Sequence, residues 1–126
     1  MFKNIYIYGL GMMGGSIAKA IRITNPKIKI FATDIDLGSL KYAKRMRIID
    51  DFDSRKYKCL NKCDLIIICV PILSYNSAID IIQQHRKSES LITDIGSTKK
   101  EIITIVKKNR SINKSFIGSH PLTGME

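Results

Sequence analysis

The chain is poor in the residues that would tie it to a metal, a membrane or an oxidising compartment. Three cysteines, Cys59, Cys63 and Cys69, stand among 126 residues, and no two make a C-x-x-C pair. The two histidines, His85 and His120, lie far from them in sequence. A metal site is therefore not expected, and reduced thiols in a cytoplasmic protein are the default. No apolar run approaches the ~18 residues of a membrane span. The opening Met1-Phe2-Lys3-Asn4 leads directly into an apolar run, so no signal peptide is expected. Low-complexity stretches, internal repeats and basic tails are also missing. The formal net charge is nevertheless +10. Its lysines are scattered, no arginine-rich stripe appears, and the aromatics sit in apolar runs, so neither nucleic acid nor a membrane is expected as partner. The surplus positive charge would still attract a small anion.

What is present is alternation. Apolar runs at Ile5–Tyr8, Ile28–Thr33, Leu65–Val70 and Leu91–Asp94 read as strands. Helical patterns fill the intervals at Met12–Ile23, Leu37–Met46, Ser74–His85 and Lys99–Asn109. Leu40, Ala43 and Met46 mark the apolar face of the second helix, and Ile102, Ile103 and Val106 that of the last. Ile48-Ile49 is expected as a short edge strand, Asp50–Lys62 as loop with one helical turn at most, and Ser115–Gly118 as a final short strand. The continuous Leu65 run is what a central parallel strand requires. Strand–helix alternation implies right-handed crossovers and a mainly parallel, doubly wound α/β sheet of Rossmann type, with helices on both faces, forming one domain over residues 1–126.

Gly9, Gly11 and Gly14 fit G-x-G-x-x-G between the first strand and the first helix. In that context Gly9 permits a tight turn, Gly11 lets backbone approach phosphate, and Gly14 lets helix and strand pack closely. The N–H groups of the helix start, at Met12 and Met13, then face an anion. Asp34 stands 20 positions beyond Gly14, at the end of the second strand. A carboxylate there takes ribose hydroxyls and repels an extra phosphate, by roughly 4 kcal/mol per charge pair at ~4 Å and an effective dielectric near 20, as an upper figure. NAD is favoured over NADP. Asp36 is an alternative ribose partner or a helix cap. The unusual residues all come just after apolar runs: the glycine turn, Asp34, Pro71, Asp94-Ile95-Gly96-Ser97 and Ser119-His120-Pro121. In a parallel sheet those ends share one edge, where ligands bind.

His120 has the ordinary pKa range for proton transfer near neutrality, and as a loop histidine it could equally be a surface residue. Ser97 follows Gly96 at a helix start, as an N-cap or a hydroxyl facing a ligand. Lys99 and Lys100 are either surface lysines or a lure for a carboxylate. His85 is expected to be a solvated helix C-terminal residue, and Cys69 a small core residue.

Three segments together resemble the prephenate and arogenate dehydrogenase family. They are Gly9-Leu10-Gly11-Met12-Met13-Gly14-Gly15-Ser16-Ile17-Ala18, Asp94-Ile95-Gly96-Ser97-Thr98-Lys99, which is similar to the family's Asp-x-Gly-Ser-x-Lys, and Phe116-Ile117-Gly118-Ser119-His120-Pro121-Leu122-Thr123-Gly124-Met125-Glu126, which is similar to its His-Pro-x-x-Gly-x-Glu signature. The resemblance implies an NAD-dependent oxidative decarboxylation of prephenate to 4-hydroxyphenylpyruvate in tyrosine biosynthesis. His120 would take the hydrogen bond or proton of the ring hydroxyl, and Ser97 would hold the same hydroxyl or the nicotinamide side. Gly9, Gly11, Met12, Met13, Gly14, Asp34, Val70, Pro71 and Gly96 would form the cofactor site. Relatives continue into a helical dimerisation domain that completes the pocket for the small anionic substrate, prephenate or arogenate. This chain stops inside the third motif, so a homodimer is expected only with that domain, and the isolated chain is expected to be incomplete for catalysis. Met125 replaces a small polar residue of many relatives, and Arg47 a common glycine. The competing readings are arogenate dehydrogenase, another reductase with this nucleotide domain such as a hydroxyacid dehydrogenase or imine reductase, a non-catalytic NAD-binding module, and a nucleic-acid binder.

Overall fold

A computed structural model describes residues 2–96 and 99–117, without the side chain of Lys99. The sequence expectations at Ser97, Gly118, Ser119 and His120 to Glu126 lie outside these residues. Among the described residues, five strands form one parallel sheet: β1 (Asn4–Tyr8), β2 (Lys29–Thr33), β3 (Asp51–Asp53), β4 (Leu65–Ile68) and β5 (Leu91–Asp94), in the order β3-β2-β1-β4-β5. Ile5 pairs with Ile30 on one side and with Leu65 on the other. The order reverses between β1 and β4, which opens a crevice at the carboxyl ends of those strands.

The alternation of side chains along each strand builds two cores. Ile5, Ile7, Ile30, Ala32 and Ile67 meet Ala18 of α1 (Met12–Thr24) and Leu40 and Ala43 of α2 (Leu37–Arg45). Tyr6, Tyr8, Ile66, Ile68 and Ile92 meet Ala78, Ile79 and Ile82 of α3 (Tyr75–His85), Ile102 and Val106 of α4 (Lys99–Lys107) and Ile112 of α5 (Arg110–Ser115). Met46 and Ile103, expected on apolar faces, are about half exposed.

Three elements depart from expectation. The edge strand is not Ile48-Ile49 but Asp51–Asp53, inside the stretch read as loop, where the helical turn proves to be Leu60–Lys62. Its pattern is masked because Asp53 points inward: the Tyr6 hydroxyl donates to it at 2.8 Å and the Cys59 N–H at 3.2 Å. α5 was not expected, since Arg-Ser-Ile-Asn-Lys-Ser has no apolar period. It rests on the Asn109 side chain, which caps Ile112 N–H at 3.1 Å, and on buried Ile112. Of the final strand, the described residues show one bridge, Phe116 with Ile92, and Ser115 still belongs to α5.

Helix α2 ends in a Schellman turn. Ile48 N–H donates to Ala43 O at 2.9 Å and Arg47 N–H to Lys44 O at 3.0 Å. Arg47 takes φ 60°, the left-handed position that glycine fills at no steric cost.

Candidate functional site

The glycine turn is shaped by two close approaches. Gly9 adopts φ 105°, and its N–H donates to Thr33 O at 2.9 Å. A Cβ there would stand 2.7 Å from Val70 Cγ1. A Cβ on Gly14 would land on the Gly9 carbonyl oxygen, so α1 can pack this near β1 only with glycine. Gly11, the N-cap of α1, has nothing within 4 Å of where its Cβ would be, and the first turn of α1 carries no acidic residue. The first-turn N–H groups of a helix have no carbonyl behind them, so this open, positive helix end suits an anion.

Beside the turn lies a crevice of about 500 Å³ lined by Gly11, Met12, Met13, Cys69, Val70, Pro71, Ile72, Tyr75, Ile95, Gly96 and Ile102. It therefore gathers six of the sequence-predicted residues, Gly11, Met12, Met13, Val70, Pro71 and Gly96, from three separate strand ends. Met12 is 88% exposed and Met13 58% exposed, so apolar side chains of its lining stand in solvent. Gly9 and Gly14 lie beneath, shaping the turn.

Asp34 does not line the crevice. It sits half-buried at the end of β2, where its carboxylate accepts Leu10 N–H at 2.6 Å and Asp36 N–H at 2.9 Å. It thus ties the glycine turn to the end of β2, and each oxygen keeps a lone pair for a further donor. Asp36 is the cap of α2, accepting from the Ser39 hydroxyl at 2.9 Å and Ser39 N–H at 3.3 Å. These bonds hold its pKa below the usual carboxylate range. His85 is exposed at the last position of α3, its ring 5.5 Å from that of Tyr57.

Cys69 packs partly buried against the core and also walls the crevice, and burial followed by the charge of Asp94 pushes its thiol up to about 12. A neutral thiol there offers no nucleophile. Sequence reasoning also gave no role to Tyr75 or to the Asp94 side chain. Asp94 is fully buried at the end of β5 and accepts from the Tyr75 hydroxyl at 3.2 Å and Gly96 N–H at 2.9 Å. Burial, then the Asp94 charge, raises the Tyr75 phenol far above its ordinary pKa, so it remains a donor. No group of three or more His, Cys, Asp or Glu among the described residues could hold a metal ion. No helix there is long and apolar enough to cross a membrane.

A sequence model of the family described as prephenate dehydrogenase, nucleotide-binding domain, matches residues 17–126. The chain belongs to this family. The match begins within α1, after the glycine turn, so the turn's geometry is independent of it. Prephenate dehydrogenase of Lactococcus lactis subsp. cremoris is 35% identical over 127 residues, which cover 97% of this chain and 34% of that protein. Cyclohexadienyl dehydrogenase of Zymomonas mobilis is 28% identical, across 100% of this chain and 43% of that protein. The chain thus spans between a third and a half of the length of these relatives. Among solved structures, prephenate dehydrogenase from Aquifex aeolicus in complex with hydroxyphenyl propionate and NAD+ matches with TM-score 0.77 and 26% identity, over 100% of this chain and 44% of that one. The arogenate dehydrogenase of Synechocystis, 21% identical with TM-score 0.78 over 94% of this chain and 40% of that one, shares the fold.

Proposed function

We propose that this family member binds NAD and forms the cofactor half of an oxidoreductase that decarboxylates prephenate, or arogenate, oxidatively. The observation that carries the reading is the glycine turn: a left-handed Gly9, a Gly14 with no room for a Cβ, and an open Gly11 at the mouth of one crevice. That cradle fits a dinucleotide pyrophosphate. Bound NAD supplies the hydride acceptor.

The chain's own residues have separable tasks. The first-turn N–H groups of α1, at Met12 and Met13, bind the pyrophosphate. Asp34 offers its remaining lone pairs to the adenosine ribose and sets its charge against a 2′-phosphate. Val70, Pro71 and Gly96 wall the other end of the crevice. By the resemblance, His120 holds the proton of the substrate's ring hydroxyl as that carbon becomes oxidised, and Ser97 orients the same hydroxyl. Loss of CO2 makes the ring aromatic and drives the reaction, so the protein mainly orients the reactants.

Because the chain spans only part of its relatives' length, a second reading is NAD binding without turnover, the substrate pocket being completed by further sequence. Titration of the chain with NADH, followed by fluorescence, tests the common core of both. Saturable binding displaced by NAD is expected, and its absence overturns the proposal. Adding prephenate and NAD then divides the two: NADH formation supports catalysis by this chain, and binding without it supports the second reading.

A further inference from the structure

We propose that Tyr75 is a positioning residue: acting through Asp94, it fixes the turn after β5 that walls the nicotinamide end of the cofactor crevice. The inference rests on the NAD reading above. Three elements meet at one point of that wall. Tyr75 opens α3, Asp94 closes β5, and Ile102 comes from α4. One carboxylate oxygen, Asp94 Oδ2, accepts from both the Tyr75 hydroxyl at 3.2 Å and Gly96 N–H at 2.9 Å. A Cβ on Gly96 would lie 3.0 Å from that oxygen and 3.0 Å from the Tyr75 hydroxyl, and would land on Ile102 Cδ1. The Gly96 backbone is therefore pressed against the pair with no slack.

Tyr75 is 1% exposed in an apolar surround, where a phenylalanine ring would pack equally well. A buried hydroxyl costs free energy unless it is bonded, so its presence points to the carboxylate it serves. Asp94 is itself fully buried, and a buried carboxylate holds its place by the donors around it. Removing the hydroxyl takes one donor from the oxygen that Gly96 N–H also uses, so the carboxylate settles differently and Gly96 moves with it.

Sheet order says which end of the cofactor this wall meets. Asp34, at the end of β2, lies on one side of the glycine turn. Val70 and Gly96, after β4 and β5, lie on the other. A dinucleotide crossing the turn with its adenosine at β2 presents its nicotinamide over β4 and β5.

The test is calorimetric titration of the chain and of Tyr75→Phe with two ligands, NADH and ADP-ribose, the latter having no nicotinamide. Tyr75→Phe is expected to weaken NADH about fivefold while ADP-ribose stays within about twofold, the scale of the net contribution of one ordinary hydrogen bond. A merely structural role would move both ligands together, or neither, and either result overturns the inference. Gly96→Ala disturbs the same turn from its other partner, by pressing a Cβ on Asp94, Tyr75 and Ile102, and should reproduce the ratio, which keeps the test open if Tyr75→Phe folds poorly. Wild-type chain that binds ADP-ribose as tightly as NADH overturns this inference while leaving the cofactor reading standing. Wild-type chain that binds neither ligand overturns both.

Discussion

At the amino-terminal edge of the sheet, charged side chains stand just ahead of the strands they tie down. Asp50, before β3, accepts Ile30 N–H at 2.7 Å and pairs with Arg22 at 2.6 Å. Asp64, before β4, accepts Lys3 and Asn4 N–H at 2.8 and 2.9 Å and pairs with Lys87 at 2.9 Å. Arg86 donates to Ser90 O ahead of β5 at 2.9 Å, and to Ser111 O and the Ser115 hydroxyl of α5 at 3.1 and 3.0 Å. At the carboxyl edge the pattern inverts. Backbone N–H groups of α1 face outward, and Met12, Met13, Ile35 and Leu73 stand exposed. One edge commits its charged groups to holding strands, while the other, although Asp34 and Asp94 are also bonded within it, leaves the first-turn N–H groups of α1 open. Substitutions at the first should therefore cost stability, and substitutions at the second should cost binding.

The largest effect that would test this division is Gly11→Val. Its Cβ meets nothing, and φ −77° suits any residue, so the melting temperature should hold within a few degrees. The branched side chain would occupy the phosphate approach, and NADH affinity should fall about a hundredfold, roughly 2.7 kcal/mol. A variant that melts early with affinity intact would break the comparison. Next comes Arg86→Ala, which strips the donors joining α3, β5 and α5. It should cost about 2–3 kcal/mol in denaturant unfolding and leave NADH affinity within about twofold. Asp34→Ala belongs to the carboxyl edge but also tethers Leu10. Titration with both dinucleotides should show NADH about tenfold weaker and a narrower gap to NADPH. An unchanged NADH-to-NADPH ratio would remove the ribose role assigned to Asp34.

The smallest effect belongs to the amino-terminal edge and to acid. The Lys87 ammonium, with Asn4 and Lys3 N–H, holds Asp64 at about 2. A carboxylate held below its ordinary ~3.9 contributes stability in its ionised form, present at neutral pH and lost as pH falls from about 4 through about 2. Asp64→Asn should remove roughly 1 kcal/mol at neutral pH, less than the shift alone implies because the pair stands partly in solvent. Its stability curve should meet that of the wild type at the acid end of that window.

The division also explains which parts of the molecule are legible in the sequence. Buried parallel strands must be apolar throughout, so β1, β2, β4 and β5 announce themselves. Helices α1 to α4 follow from their period and caps, and the glycine turn from its spacing. β3 does not, because its inward residue is Asp53, and an aspartate bonded to Tyr6 looks like loop. α5 does not, because it is held by Arg86 and by an Asn109 cap rather than by an apolar stripe. In the candidate site, residues at strand ends could be listed from sequence, since topology alone sends them to one edge. Tyr75 and Asp94 could not be paired that way. Their bond joins residues 19 apart through the packing of α3 against β5, and no spacing rule encodes it.

Sheet order has a consequence for how the chain is made. β1 pairs with β2 and, across the reversal, with β4, so Ile5 must wait for Leu65. At roughly 5–20 residues per second, a ribosome takes several seconds to cover that interval. Throughout it the future centre of the sheet has one bare side of Ile and Tyr backbone, an edge able to accept the wrong strand. Synthesis speed between Thr33 and Leu65, more than the final contacts, sets how long that opening lasts.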